Sequence, residues 1–380
     1  MIESLTRNAV NVLPAGGLEE KLKLGRPLRV KFGIDVTAPN VTLGNGVPLQ
    51  RMRAFQDAGH VGVLIVGDYT TRIGDPSGRS VERPILSEEE IDRNATHFVD
   101  QASTIIDRER TEIRFNSEWL SKLDFAGILR LTRTATVARL LERDDFARRM
   151  SANAPISVSE LLYPLMQAYD SVAIRADVEL GGTDQLYNIL MGREVMTAYG
   201  LEPQIALTVR YLDSWDGTGM SSSRGNYIGL REEPEQQFGK VMRIPDSLLQ
   251  QWYELVLEEP VPPGEPMPIK LALARRIVAR SHGEAAAELA GAHFKRVVRE
   301  GQAPEDVPES PLPDGDPIHL PAALASAFGL STSEARRLIG QGGVKIDGKP
   351  LAELDLPRSR LLGATVQAGK RRFVRFAETA

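Results

Sequence analysis

The sequence predicts an α/β protein built on a doubly wound sheet, followed by a helical region and a small α+β module. Three observations carry this expectation. Short β-branched runs alternate with helically spaced apolar residues through roughly the first 200 positions, the pattern of strands joined by crossover helices. Helical spacing then dominates residues 236–300. A stretch rich in Pro, Gly and acid, "GQAPEDVPESPLPDGDP" (301–317), reads as a linker ahead of a basic C-terminal segment. The expected divisions are therefore 1–235, 236–300, a linker at 301–317, and 318–380.

The elements follow in order. "LRVKFGI" (28–34) reads as a strand and "GVPLQRMRAFQDAG" (46–59) as a helix. "VGVLIVGD" (61–68) is unbroken in its apolar character, as a strand buried on both faces must be. "TEIRFN" (111–116) is another strand. "SVSELLYPLMQAYDSVAI" (157–174) is a helix opened by a capping box of Ser157 and Glu160. "DQLYNILMGREVMTAYG" (184–200) is a helix stopped by Gly200, and "PQIALTV" (203–209) a strand. The helical run 269–300 breaks near Gly283. In the last module "STSEARRLIGQGG" (331–343) is a helix, "VKIDGKPL" (344–351) a strand entering an Asp-Gly turn, and "GKRRFVRF" (369–376) alternates basic and apolar residues.

Composition narrows the functional classes. The chain has 380 residues, no cysteine and a formal net charge of −5. Disulfide and thiolate chemistry are excluded. The five histidines, at 60, 97, 282, 293 and 319, lack paired ligand spacing, so no bound metal site is expected. No apolar run approaches about 18 residues and no basic-then-apolar leader opens the sequence, which fits a cytoplasmic protein without membrane partners. Residues 331–380 hold ten Lys/Arg against five Asp/Glu, leaving the remainder of the chain strongly acidic. A basic module on an acidic body can direct a polyanion to one part of the protein.

Five stretches carry candidate chemistry. In "GIDVTAPNVTLGNGVPL" (33–49) a strand ends near Asp35 and "TLGNG" opens a helix whose first amides can meet an anion, with Thr37, Thr42 and Asn45 as neutral donors. A plain strand–turn–helix connection explains the same pattern. In "GDYTTRIGDPSGRSVER" (67–83), Asp68 and Asp75 sit on glycine-bounded turns past a buried strand, near Arg72, Arg79 and Arg83. In helix 157–174, Tyr163, Gln167 and Asp170 fall on one face, while Val158, Leu162, Leu165 and Tyr169 fall on another. The polar face suits either solvent or a small polar ligand. In "ELGGTDQLYN" (179–188), Thr183 or Asp184 is placed to cap a helix and Gln185 to point from the same sheet rim. "GMSSSRGN" (219–226) is a glycine- and serine-rich loop of phosphate-binding type that contains no lysine.

Taken together, "GDYTTRIGDPSGRS", "LLYPLMQAYDSVAIRADVELGGTDQLYN" and "GMSSSRGNYIGL", in this order, resemble the tyrosyl-tRNA synthetase family of class I aminoacyl-tRNA synthetases. The resemblance spans nearly the whole chain. It implies a homodimer with a Rossmann-like catalytic domain and a C-terminal S4-like RNA-binding module, acting on tyrosine or a similar amino acid, ATP with Mg²⁺, and tRNA. It further implies that Asp75 holds the substrate ammonium group with Tyr163 and Gln167, that Asp170 accepts the phenol proton, and that Gln185 lies near the carboxyl group. Gly33, Asp35 and Thr70 complete the substrate set. Lys31 stands where some members carry a second tyrosine reaching the phenol. Thr37, Gly44, Asp184, Met220 and Ser221 fall on the ATP side. In the module the resemblance points to Arg336, Arg337, Lys345, Arg371 and Arg372 for RNA.

Both ATP signatures of that family are altered. His-x-Gly-His is Thr42-Leu43-Gly44-Asn45, Asp-Pro-Thr is Asp35-Val36-Thr37, and Lys-Met-Ser-Lys-Ser is Gly219-Met220-Ser221-Ser222-Ser223. Loss of one preorganised donor to developing charge costs on the order of 2.7–4 kcal/mol, and two independent losses lower the rate by at least roughly 10⁴. Thr42 and Asn45 retain donors, and Arg224 offers a substitute charge two residues beyond Ser222. The expectation is activation that is impaired or diverted. Two other functions remain open: a repurposed paralogue using a tyrosine-like substrate in a biosynthetic pathway, and a noncatalytic RNA-binding protein.

Overall fold

The computed structural model describes residues 1–73, 86–300, 303, 307–369 and 372–378. The chain divides into two compact units, residues 1–232 with 243–270, and residues 233–242 with 271–380.

The first unit is built on a six-stranded sheet. Its strands are β1 (Ala9–Leu13), β2 (Arg29–Ile34), β3 (Val61–Val66), β4 (Thr111–Phe115), β5 (Val178–Gly182) and β6 (Ile205–Val209), in the spatial order β1-β6-β5-β2-β3-β4. All neighbours are parallel except β1, which pairs antiparallel with β6. The crossover helices are α1 (Leu43–Asp57), α2 (Glu88–Ala102), α4 (Val158–Ile174) and α5 (Leu186–Ala198), with α3 (Phe125–Thr132) leading towards α4. From β2 the chain winds one way to β3 and β4, then returns to add β5 and β6 on the other side. The reversal between β2 and β5 opens a crevice at their carboxyl ends, where ligands of doubly wound sheets bind.

The expected strands form because their apolar runs are buried on both faces: Val63, Leu64, Ile65 and Val66 of β3 are almost wholly inaccessible, as is all of β6. β1 was not expected. "AVNVL" is short and half exposed, and a bulge shifts its register at Ala9/Asn11, so its alternation is interrupted. α1 begins at Leu43 rather than 46, because Thr42 caps it. α5 begins after a 3-10 turn, Thr183–Gln185, so neither Thr183 nor Asp184 is its side-chain cap. Ser157 and Glu160 do form the capping box of α4. On its apolar face Leu165 is buried with Leu162 and Tyr169 against it, but Val158, in the first turn, is exposed.

The helical stretch 236–300 does not stand apart. Residues 243–270 belong to the first unit, where Trp252 and Tyr253 are buried and donate to the carbonyls of Asp213 and Ile269. Residues 271–300 belong to the second. α6 (Pro266–His282) and α7 (Glu284–His293) are separated by a break at Gly283, whose φ of 89° favours glycine. The Pro-rich stretch 301–317 includes β7 (Glu309–Pro311), which pairs in parallel with the last strand. Proline is tolerated there because β7 is an edge strand. The module beyond adds β8 (Ile318–His319), α8 (Leu320–Phe328), α9 (Thr332–Gly340), β9 (Val344–Ile346), β10 (Lys349–Pro350), β11 (Asp355–Leu356), β12 (Thr365–Ala368) and β13 (Arg372–Ala377). Leu320 and Leu324 from α8, Ala335 and Ile339 from α9, and Val344, Val366, Val374 and Phe376 from the strands make one core.

Candidate functional site

A cleft of about 280 Å³ occupies the crevice at the ends of β2 and β5. Its deeper half gathers Gly33, Asp35, Thr70, Tyr163, Gln167 and Asp170. The polar stripe of α4 therefore faces this cleft rather than solvent, and Tyr163 and Asp170 are almost fully buried. Asp75, Arg79 and Arg83 lie outside the described residues. Asp68 turns away, accepting the Ser117 amide, and Arg72 pairs with Glu88.

Asp35 organises one wall. Its carboxylate accepts from the Thr70 hydroxyl at 2.8 Å and from the Tyr163 phenol at 3.0 Å. Gly67 makes this approach possible, since a Cβ there would lie 2.5 Å from Thr70 Oγ1 and closer still to Asp35 Oδ1. A ladder of amides forms the opposite wall. Asn188 Nδ2 donates to Gln167 Oε1 and to Gln185 Oε1, each at 3.1 Å, and Gln185 Nε2 donates to Asp184 at 2.8 Å.

The floor is Asp170. Trp119 Nε1 donates to one carboxylate oxygen at 2.8 Å and Asn116 Nδ2 reaches the other at 3.4 Å. Burial pushes this carboxyl up to about 7, opposed by Lys31 and the two donors. Sequence reasoning missed Asn116 and Trp119. They sit where β4 runs into a short helix, and only the parallel pairing of β4 with β3 brings them beneath α4. Lys31 does not line the cleft. It is completely buried, and its ammonium group contacts Glu179 Oε1 and Ser171 Oγ at 2.8 Å and the Gln167 carbonyl at 2.9 Å.

The outer half holds Thr37, Thr42, Gly44, Asn45 and the loop residues Met220, Ser221 and Ser222, with Asp184 and Gln185 at its edge. Thr42 and Asn45 form a reciprocal capping box at the start of α1, Asn45 N donating to Thr42 Oγ1 and Thr42 N to Asn45 Oδ1. The Thr42 hydroxyl also lies 2.9 Å from Asn45 Oδ1, so the donor expected from Thr42 is used within the cap. The loop closes on itself. Asn226 Nδ2 contacts Asp216, Thr218 Oγ1 and the Gly219 carbonyl, while Asn226 Oδ1 accepts the Ser221 amide. Arg224 is exposed, lies outside the lining and donates to the Gly219 carbonyl at 3.0 Å, so it buttresses the loop. Gly219 is likewise outside the lining. Among the described lining residues the lysine or arginine present is Arg210, paired with Glu254 at 2.8 Å.

In the second unit, Arg336 and Arg337 are exposed on α9 because Ala335 and Ile339 take its buried face. Arg337 and Arg372 both lower the Glu334 carboxyl, after its bonds to Ser331, so these cations gather on one side. Lys345 does not join them. It is in register with Gln367 and Phe373, on the sheet face opposite the one that carries Val344 and Arg372. Arg371 lies outside the described residues. Among the described residues no group of three or more His, Asp or Glu is placed to hold a metal ion, and no helix is long and apolar enough to cross a membrane.

The model of class I tRNA synthetases (W and Y) matches residues 23–299. A tyrosine--tRNA ligase of Moorella thermoacetica is 46% identical over 98% of this chain and 94% of its own length. One of Thermotoga maritima is 42% identical over 99% and 97%. Among solved structures, a tyrosyl-tRNA synthetase of Archaeoglobus fulgidus complexed with L-tyrosine aligns with a TM-score of 0.60 at 20% identity, covering 76% of this chain and 98% of that one. A truncated mitochondrial tyrosyl-tRNA synthetase of Aspergillus nidulans gives 0.63 at 20% identity, over 77% and 92%. These structures share the fold.

Proposed function

The chain belongs to the tyrosyl-tRNA synthetase family of class I synthetases, and on that premise we propose that it binds tyrosine or a tyrosine-like amino acid while activating it poorly or diverting it. The family reaction joins the amino-acid carboxylate to the α-phosphate of ATP, releases pyrophosphate, and passes the aminoacyl group to tRNA. Its first step is mostly positioning and charge stabilisation.

One observation carries the proposal: the two halves of the cleft differ in their chemistry. The deep half is a connected set of polar groups around a buried acceptor, Asp170, suited to a phenol and an amine. An acceptor left without its donor would disfavour phenylalanine. The outer half has neutral side chains at the signature positions that line it, Thr42, Asn45 and Ser222; Thr42 and Asn45 hold each other, and the loop frame is held by its own contacts. This donor set does not fit a triphosphate with Mg²⁺. Neutral residues at the phosphate-side signature positions, beside the Tyr163, Gln167 and Asp170 stripe, favour a repurposed paralogue over an RNA binder with no use for the amino-acid pocket.

Two partners follow from the same reading. A second copy of the chain suits the exposed apolar residues Phe125, Ile128 and Leu129 of α3, with Val137, Met150 and Val158. tRNA suits the Arg336, Arg337 and Arg372 side of the C-terminal module. The test is calorimetric titration with tyrosine beside tyrosine-dependent ATP–pyrophosphate exchange. Binding with little exchange is expected; exchange at the rate of an ordinary family member overturns the impaired reading, and absence of binding overturns the pocket.

A further inference from the structure

A buried charged pair lies at the cleft, Glu179 in its lining and Lys31 behind it. Lys31 of β2 and Glu179 of β5 are direct register partners on adjacent parallel strands, so both side chains rise on the same sheet face. They are 0% and 1% exposed and 2.8 Å apart. A buried pair of this kind is a poor source of stability, because desolvation consumes most of the attraction. Its contacts point to another role. Lys31 donates to the Gln167 carbonyl and to Ser171 Oγ, one helical turn apart on α4. Glu179 accepts from Gln167 Nε2 and Ser171 Oγ, each at 3.2 Å, and from Gln204 Nε2. Gln167 is thus gripped by backbone from Lys31 and by side chain from Glu179. Its amide is oriented so that Oε1 faces Asn188.

We propose that the Lys31–Glu179 pair is a positioning device for the substrate face of α4, fixing Gln167 and Ser171 on either side of Asp170, and thereby setting discrimination between a phenol and an unsubstituted ring. The inference rests on the proposed tyrosine pocket. The described charged groups around Asp170 are Lys31 from β2 and Glu179 from β5, with Asp35 joined to it through Thr70 and Asn116. The groups reaching it from the segment after β4, Asn116 and Trp119, are neutral. Lys31 favours the carboxylate and Glu179 opposes it.

The experiment uses the full chain and three variants: Lys31→Met, Glu179→Gln, and both together. The double variant removes both charges and so avoids stranding either in the interior. Tyrosine and phenylalanine are titrated calorimetrically between pH 5.5 and 9. The double variant is expected to remain folded while its tyrosine-to-phenylalanine affinity ratio falls at least tenfold. The pH midpoint of tyrosine binding is expected to move up in Lys31→Met and down in Glu179→Gln. A merely structural pair would change neither the ratio nor the midpoints in folded variants, and that result overturns the proposal. If the unaltered chain binds no tyrosine, the pocket reading fails and takes this inference with it. If it binds and discriminates but the variants do likewise, only the positioning role fails.

Discussion

Asp170 is where a single side chain has the clearest thermodynamic signature. Its carboxyl is raised to about 7 from the ordinary 3.8, chiefly by burial. The folded chain therefore holds this proton more tightly than the unfolded chain, and stability falls as pH rises between those two values. Asp170→Asn should melt at a higher temperature than the parent above pH 7, with the gain fading towards pH 4, as calorimetry can show. The same change should weaken tyrosine binding by about ten- to hundredfold, the worth of a hydrogen bond to a charged group, ~1.5–3 kcal/mol. In the parent, tyrosine affinity should fall as pH drops below about 7, because the acceptor is then protonated. Gly67→Ala should also reduce affinity, at a packing cost of roughly 1–3 kcal/mol, by forcing Asp35 and Thr70 apart; chemical denaturation and titration together would separate the two effects. The stripe of Tyr163, Gln167 and Asp170 was legible in the sequence because helical periodicity puts it on one face. Lys31 was legible only as a departure. Its partner Glu179 is 148 residues away in sequence, and no local pattern joins two parallel strands across a crossover.

The elements that carry the altered signatures have become self-contained. The start of α1 keeps its own cap in Thr42 and Asn45, and the loop at 216–226 is tied by Asn226 and Arg224. Replacing Thr42 and Asn45 by histidine should therefore cost roughly 0.5–2 kcal/mol of stability, the worth of a helix cap, measurable by urea denaturation. The loop offers the opposite case. A Cβ at Gly219 meets nothing closer than 3.8 Å, so a lysine there finds room without moving backbone. Helices with caps and strands with unbroken apolar runs were readable from sequence. The capping role of Thr42 and Asn45 was not, because the same two residues also fit an anion-binding helix start. β1 was not readable because a bulge interrupts its alternation. β7 hid in a stretch whose proline content marks a linker until an edge strand makes proline acceptable.

Across the chain, the proposed amino-acid and tRNA contacts fall in different compact units. In the second, Arg336→Glu with Arg337→Glu should weaken tRNA binding and flatten its salt dependence, since each neutralised phosphate releases counterions; filter binding across a salt series reads both. In the first, the proposed function sets Tyr163, Gln167 and Asp170, each held in hydrogen bonds at the cleft, against signature positions Thr42, Asn45, Gly219 and Ser222 that carry no charge. Tyrosine-dependent ATP–pyrophosphate exchange reads this contrast. The parent chain should be compared with a variant carrying Thr42→His, Asn45→His, Gly219→Lys and Ser222→Lys. Exchange at least about a hundredfold faster in the variant, one restored donor's worth, is the predicted result. Fast exchange in the parent, unchanged by the four substitutions, would contradict it.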